Sequence, residues 1–204
     1  MELLTEYEAE EFLRRKGFQI VKRNVFKNSE EAMRYAKEVG FPVVLKIVSD
    51  SIIHKSDIHG VIQNVEETNF KSLFDKLMKI KKVTSIMVQK YIPGEYLLLG
   101  LKKDPVFGYS IAVGSGGIYT EIMHDISFRI LPITREDCLN MLKELKIYPI
   151  LSGARGQKFN IPAIVNTMLK LSRLTKENIK ELDINPLIVN SKNASIIDAK
   201  IIFY

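Results

Sequence analysis

One cysteine, Cys138, is all that 204 residues contain. No internal disulfide framework can form, and such sparing use suits a reducing compartment, so the cytoplasm is expected. No apolar run approaches the roughly 20 residues that a membrane-spanning helix needs, and no membrane partner is expected. The opening Met1-Glu2-Leu3-Leu4-Thr5-Glu6 is acidic and lacks a signal-peptide pattern. Internal repeats, linkers and low-complexity segments are missing as well. With 11 glycines and 7 prolines there is no fibrous or disordered bias. Charge is plentiful: 30 Lys and Arg stand against 24 Asp and Glu, a net +6. That balance permits nucleic acid, and equally a polyanionic small ligand such as a nucleotide or coenzyme A. Basic residues such as Arg14, Arg15, Lys81 and Lys82 are scattered and form no aromatic-basic motif, which ranks nucleic acid last. A chain that is 46% hydrophobic and 26% charged should bury a real core, as one domain or two small lobes.

The stretch from Pro42 to Val61 organises what is present. Val43, Val44, Leu45, Ile47 and Val48 make the β-branched, aliphatic run of a buried strand, and Lys46 interrupts it. A lysine there must snorkel, find an anion or lose its charge, because burying a bare ammonium is costly. The loop after it gathers His54, Lys55, Ser56 and Asp57 and closes on Gly60. It suits phosphate oxygens; an edge-strand lysine followed by a solvated turn explains the same residues.

Around that stretch the pattern alternates helix and strand. Thr5 and Glu8 make a capping box for a helix to about Lys16, with Gly17 as its stop. Phe18 to Phe26 reads as a strand, and Asn28 caps a second helix ended by Gly40 and Pro42. Strand Val61–Val65, a helix from near Thr68, and strand Ser85–Ile92 follow, ended by Pro93-Gly94. Beyond it Tyr96–Leu101, Val106–Val113 and Gly117–Ile122 read as antiparallel strands. Thr134 with Asp137 caps a fourth helix whose apolar stripe includes Cys138, and Asn160 with Pro162 opens a fifth, to about Leu174. Strands Leu182–Val189 and Ala194–Ile202 finish the chain. The expected class is α/β in the α+β sense, two lobes divided near Pro93 into residues 1–92 and 93–204.

Asn185 and Asp198 sit in the two final strands, and antiparallel pairing could set them on one face as hard oxygen ligands fit for magnesium. A turn amide and an edge-strand aspartate are the plainer alternative. Gly114-Ser115-Gly116-Gly117 could close backbone N–H groups on an anion, or be a glycine-rich hairpin. Arg129 repeats the pattern of Lys46, a cation within an apolar run; it could grip phosphate or pair with Asp125 or Glu121.

The strings Leu45-Lys46-Ile47-Val48-Ser49, Ile53-His54-Lys55-Ser56-Asp57, Gly116-Gly117-Ile118, Asp125-Ile126-Ser127-Phe128-Arg129, Gly153-Ala154-Arg155-Gly156, Glu181-Leu182-Asp183-Ile184-Asn185-Pro186 and Asp198-Ala199 stand in that order. Together they resemble the β subunit of ADP-forming acyl-CoA synthetases, acetate–CoA ligase being the nearest activity, within the ATP-grasp family. The resemblance spans essentially the whole chain. It implies an ATP-grasp fold with a nucleotide cleft between the lobes, and an enzyme subunit active only with an α subunit, as an α/β hetero-oligomer. In that family the α subunit binds CoA and acyl group and carries a phosphoryl group on its own histidine. The β subunit passes it to ADP through a second histidine, matched here by His54. The resemblance further implies Lys46 and Lys55 at the phosphates, Arg129 as a phosphate contact, and Gly116 and Gly117 at the nucleotide. Gln89, Tyr91 and Ile92 would match the adenine hinge, and Asn185 and Asp198 the magnesium ligands. The ribose glutamate of the family falls at Tyr96, with Glu95 one residue early. Two other departures are His59 for a loop glycine and Ser115 where leucine is usual. A non-catalytic nucleotide sensor is the second reading; retention of Lys46, His54, Asn185 and Asp198 together speaks against it.

Overall fold

The computed structural model describes residues 1–49, 58–117, 124–154 and 156–204. These form two compact units: Met1–Ile20 with Pro93–Tyr204, and Val21–Ile92.

The unit Val21–Ile92 is a four-stranded antiparallel sheet with two helices on one face. Its elements are β2 (Arg23–Phe26), α2 (Ser29–Val39), β3 (Val43–Val48), β4 (Val61–Val65), α3 (Glu67–Met78) and β5 (Ser85–Lys90), and the sheet order is β2-β5-β3-β4. Asn28 starts α2 by accepting the Glu30 and Glu31 N–H groups at 2.8 and 3.2 Å, and so satisfies two donors that the first turn leaves open. Strand alternation sends Val43, Leu45 and Ile47 into a core with Ala32 and Ala36 of α2 and Phe70, Phe74 and Leu77 of α3. Full burial of each large side chain contributes about 1.5–3 kcal/mol.

The other unit holds a seven-stranded antiparallel sheet: β1 (Glu2–Leu3), β6 (Glu95–Asp104), β7 (Gly108–Ser115), β8 (Ile126–Ile130), β9 (Ile179–Val189), β10 (Ala194–Ile196) and β11 (Ala199–Phe203). The order is β1-β11-β9-β6-β7-β8, with β10 also on β9. Helices α1 (Glu6–Arg15), α4 (Arg135–Glu144), the single turn α5 (Tyr148–Leu151) and α6 (Ile161–Ser172) complete it, a 3-10 turn at Arg173–Lys176 following α6. The Thr5–Glu8 and Thr134–Asp137 boxes are formed at α1 and α4. Leu97, Leu99, Leu101, Ile111, Val113, Leu182 and Ile184 face the same core as Ala9, Leu13, Met141, Leu142, Ile164 and Met168. The core holds Cys138 too, its thiol pushed up to about 11 by burial, as packing rather than reactivity requires.

Several expectations change. Residues 1–20, expected in the first lobe, pack with Pro93–Tyr204, because β1 pairs with β11 and α1 shares that core. The strand expected over Phe18–Phe26 shrinks to β2; Ile20 instead bridges Ile196 within the unit Met1–Ile20 with Pro93–Tyr204. The third strand of the expected meander is Ile126–Ile130, registered on β7 through Ala112↔Phe128. Of Gly117–Ile122, residues 118–122 lie outside the described residues. The last strand is broken at Ile197-Asp198 into β10 and β11.

Candidate nucleotide and metal site

In the unit Val21–Ile92, the alternation that buries Leu45 against the helices leaves Val44, Lys46 and Val48 on the opposite face of β3. Lys46 keeps only 5% of its surface exposed and lies opposite Met87 of β5 and Val61 of β4. Gln89, 1% exposed, stands on the same face opposite Val44. Tyr91 and Ile92, both half-buried, lead out of β5, and the Tyr91 N–H donates to the Pro42 carbonyl at 3.4 Å. His54 and Lys55, with Ser56 and Asp57, lie outside the described residues. Among the described residues, Ser49 Oγ donates to the Lys82 carbonyl at 2.8 Å, and the Ile47 N–H donates to the Gly60 carbonyl at 2.9 Å.

In the other unit β9 supplies the centre. Ala199↔Ile184 and Ile196↔Leu187 keep one register across the break between β10 and β11. Asn185 and Asp198 therefore stand opposite one another, on the sheet face away from the helices, both half-buried. Against β6 the pairing shifts between Leu97↔Leu187 and Leu99↔Ile184, so β9 carries a bulge at Asn185-Pro186. The extra residue lets Ile184 and Leu187 both stay in the core while Asn185 is aimed outward. Asn185 Oδ1 accepts the Gly117 N–H at 3.1 Å, and the Gly116 N–H donates to the Tyr96 carbonyl at 2.8 Å. A Cβ on Gly116 would fall 2.6 Å from the Leu97 carbonyl carbon, so only glycine fits there.

Two expected contacts change. Glu121 lies outside the described residues, and Arg129 pairs with Glu144 of α4 rather than with Asp125. Its register opposite Ile111 puts it on the helix-packed face of the sheet, away from Asn185. The pair holds Arg129 above and Glu144 below their ordinary values, each chiefly through the hydrogen bond to the other. Glu95, at the first position of β6 opposite Val189, is one step out of phase with Gly100, whereas Tyr96 shares its face. The bulge lies on β9 and leaves the phase of β6 unchanged, so the carboxylate is not brought round.

Asp183, two residues before Asn185 on β9, shares its strand face. It faces Lys200 across β11 and Gly100 across β6. Burial pushes its carboxyl up, Glu181 adds to the shift, and Lys200 opposes it.

Among the described residues no group of three or more His, Cys, Asp and Glu could hold a metal ion by itself. Asn185 and Asp198 instead offer two oxygen donors. Magnesium is commonly bound in this way, through one or two side chains with water and phosphate completing its shell. The donor set fits a magnesium–nucleotide.

The family of ATP-grasp domains matches residues 1–203. The β subunit of acetate–CoA ligase [ADP-forming] I from Pyrococcus furiosus is 41% identical, over 98% of this chain and 91% of that one. A solved structure of the dinucleotide-forming acetyl-coenzyme A synthetase 1 of Ca. Korarchaeum cryptofilum, in complex with coenzyme A, Ca-AMPCP and HgCl+, superposes with a TM-score of 0.91 at 35% identity. It covers 100% of this chain and 94% of that one. A second structure of that enzyme, with coenzyme A and Mg-AMPPCP, has its phosphohistidine segment pointing towards the nucleotide binding site. It matches at TM-score 0.84 and 36% identity, over 99% of this chain and 93% of that one. The chain belongs to the ATP-grasp family, among the β subunits of ADP-forming acetate–CoA ligases.

Proposed function

We propose that this chain is the nucleotide-binding β subunit of an ADP-forming acyl-CoA synthetase, moving a phosphoryl group through His54 between an α subunit and ADP. The observation that carries it is the facing pair Asn185 and Asp198, two oxygen donors aimed outward by a bulge beside a glycine segment. These two side chains would hold magnesium, which would offset the charge of the phosphates. Lys46 adds a cation at the nucleotide phosphates, and the Gly116–Gly117 backbone walls them. Gln89, Tyr91 and Ile92 offer polar and apolar surface to the base. His54 takes the phosphoryl on a neutral ring nitrogen: the new N–P bond forms as the bond to the donor breaks. A terminal oxygen of ADP then attacks the phosphorus and the N–P bond breaks, returning a neutral imidazole. Asp57 orients the ring, and Lys55 offsets incoming charge.

The site is tested by calorimetry. Lys46→Ala is expected to weaken magnesium–ADP binding, and Asn185→Ala or Asp198→Ala to abolish its metal dependence. Unchanged affinity in all three variants excludes the site. Labelled ATP with magnesium, in the presence of a candidate α subunit, should leave an acid-labile, base-stable label on the chain. His54→Asn should lose that label and keep nucleotide binding, while His59→Asn keeps both. Label surviving in the His54 variant would move the chemistry elsewhere.

A further inference from the structure

The glycine segment has little of its own to hold it in place, since glycines carry no side chains to pack and the widest backbone freedom. Its position is set from outside. Asp125, 5% exposed, accepts three donors: Ser115 Oγ at 2.6 Å, the Lys146 N–H at 2.7 Å and the Ile147 N–H at 3.2 Å. The Ser115 N–H donates to the Asp125 carbonyl at 2.9 Å, so the two residues are joined through side chain and backbone. Lys146 and Ile147 link α4 to α5, which seat Met141, Leu142 and Leu151 in the core. A rigid layer is thereby tied to the start of the glycine segment, and two residues later the Gly117 N–H meets Asn185.

That last bond has a directional consequence. A backbone N–H can be met only by the oxygen end of an amide, and an amide oxygen keeps a second lone pair. Without Gly117 the Asn185 amide could turn over and present its NH2 group, which repels a cation. We propose that Asp125 and Ser115 are positioning residues for Asn185: their buried hydrogen bond fixes the segment whose Gly117 N–H selects the cation-binding face of the amide. This rests on the reading of Asn185 as a cation ligand. Ser115, where the resemblance leads one to expect leucine, is then half of a clamp.

Mn2+ binding to the full chain saturated with AMPPNP, followed by electron paramagnetic resonance, tests the idea beside metal-free ATP affinity measured in EDTA. Ser115→Ala and Asp125→Asn are expected to weaken Mn2+ about tenfold, as loss of support behind a ligand commonly does, while metal-free affinity stays within about twofold. Ser115→Ala leaves both backbone donors on Asp125 and so keeps the test open if Asp125→Asn fails to fold. Unchanged Mn2+ affinity in Ser115→Ala, with Asn185→Ala weakened, overturns the clamp and leaves the function intact. Equal loss of metal-bound and metal-free affinity in Ser115→Ala overturns it too, since general loosening then suffices. Unchanged Mn2+ affinity in Asn185→Ala overturns the ligand assignment beneath it.

Discussion

Asp183 carries a consequence for stability. Its carboxyl binds a proton more tightly in the folded chain than in the unfolded one, because burial raises it above the ordinary 3.8. Its contribution is therefore fully present below that ordinary value and is lost as pH rises through the raised one. Asp183→Asn, which has no charge to bury, should raise the thermal midpoint near about pH 7 and change it little near about pH 3. A shift of equal size at both ends, in a pH series of melting curves, would contradict this origin. Arg129 shows the opposite balance. Glu144 sits below its ordinary value, so this pair stabilises at neutral pH and loses its effect as pH falls through the lowered value. Arg129→Gln should lower the melting temperature slightly and leave magnesium–nucleotide affinity within about twofold, since a pair this open to water contributes little. A large loss of affinity would restore Arg129 to the phosphates. From sequence, Arg129 looked like a second Lys46, a cation in an apolar run. What separates them is the partner on α4, 15 residues away and invisible to local spacing.

Among the elements, those fixed by neighbours in sequence were legible in advance. The caps at Thr5, Asn28 and Thr134 depend on residues within three positions, and each forms as read. Asn28→Ala should cost about 1 kcal/mol, measurable by denaturant unfolding, as removing an N-cap typically does. Strand β3 was legible for the same reason: an apolar run broken only by Lys46 and bounded by turn residues. Two features of the second sheet were not. The bulge at Asn185-Pro186 exists only because β9 must match β6 on one side and β10 with β11 on the other. Strand β1 has two residues and exists only by pairing with β11. The site followed the same division. The facing of Asn185 and Asp198 could be proposed from alternation, whereas the phase that favours Tyr96 over Glu95 needed the observed register. The Ser115–Asp125 bond spans ten residues, and no motif announces it.

For the molecule as a whole, charge is unevenly shared. Between Val21 and Ile92 stand 13 Lys and Arg against 8 Asp and Glu, so this unit carries most of the net +6. Magnesium–nucleotide binding should accordingly weaken with added salt, in keeping with a polyanionic ligand, and a flat salt response would argue against that role for the charge. The chain by itself should form no ATP from acetyl-CoA, ADP and phosphate, because no stretch of it resembles a CoA or acyl pocket. Mixing in a candidate α subunit should switch that assay on, and steady turnover by the isolated chain would refute the division of labour. The pairing of β1 with β11 bears on the order of assembly. Val21–Ile92 is one continuous stretch, while the other unit needs both ends of the chain, Glu2 meeting Phe203. Distant pairings are entropically slow to form. Pulsed hydrogen exchange during refolding should thus protect the Leu45 and Val88 amides before that of Ile201, and simultaneous protection would refute the sequence of events. On the ribosome, the lysine-bearing unit can finish folding while the sheet that flanks it in sequence still awaits its final strand.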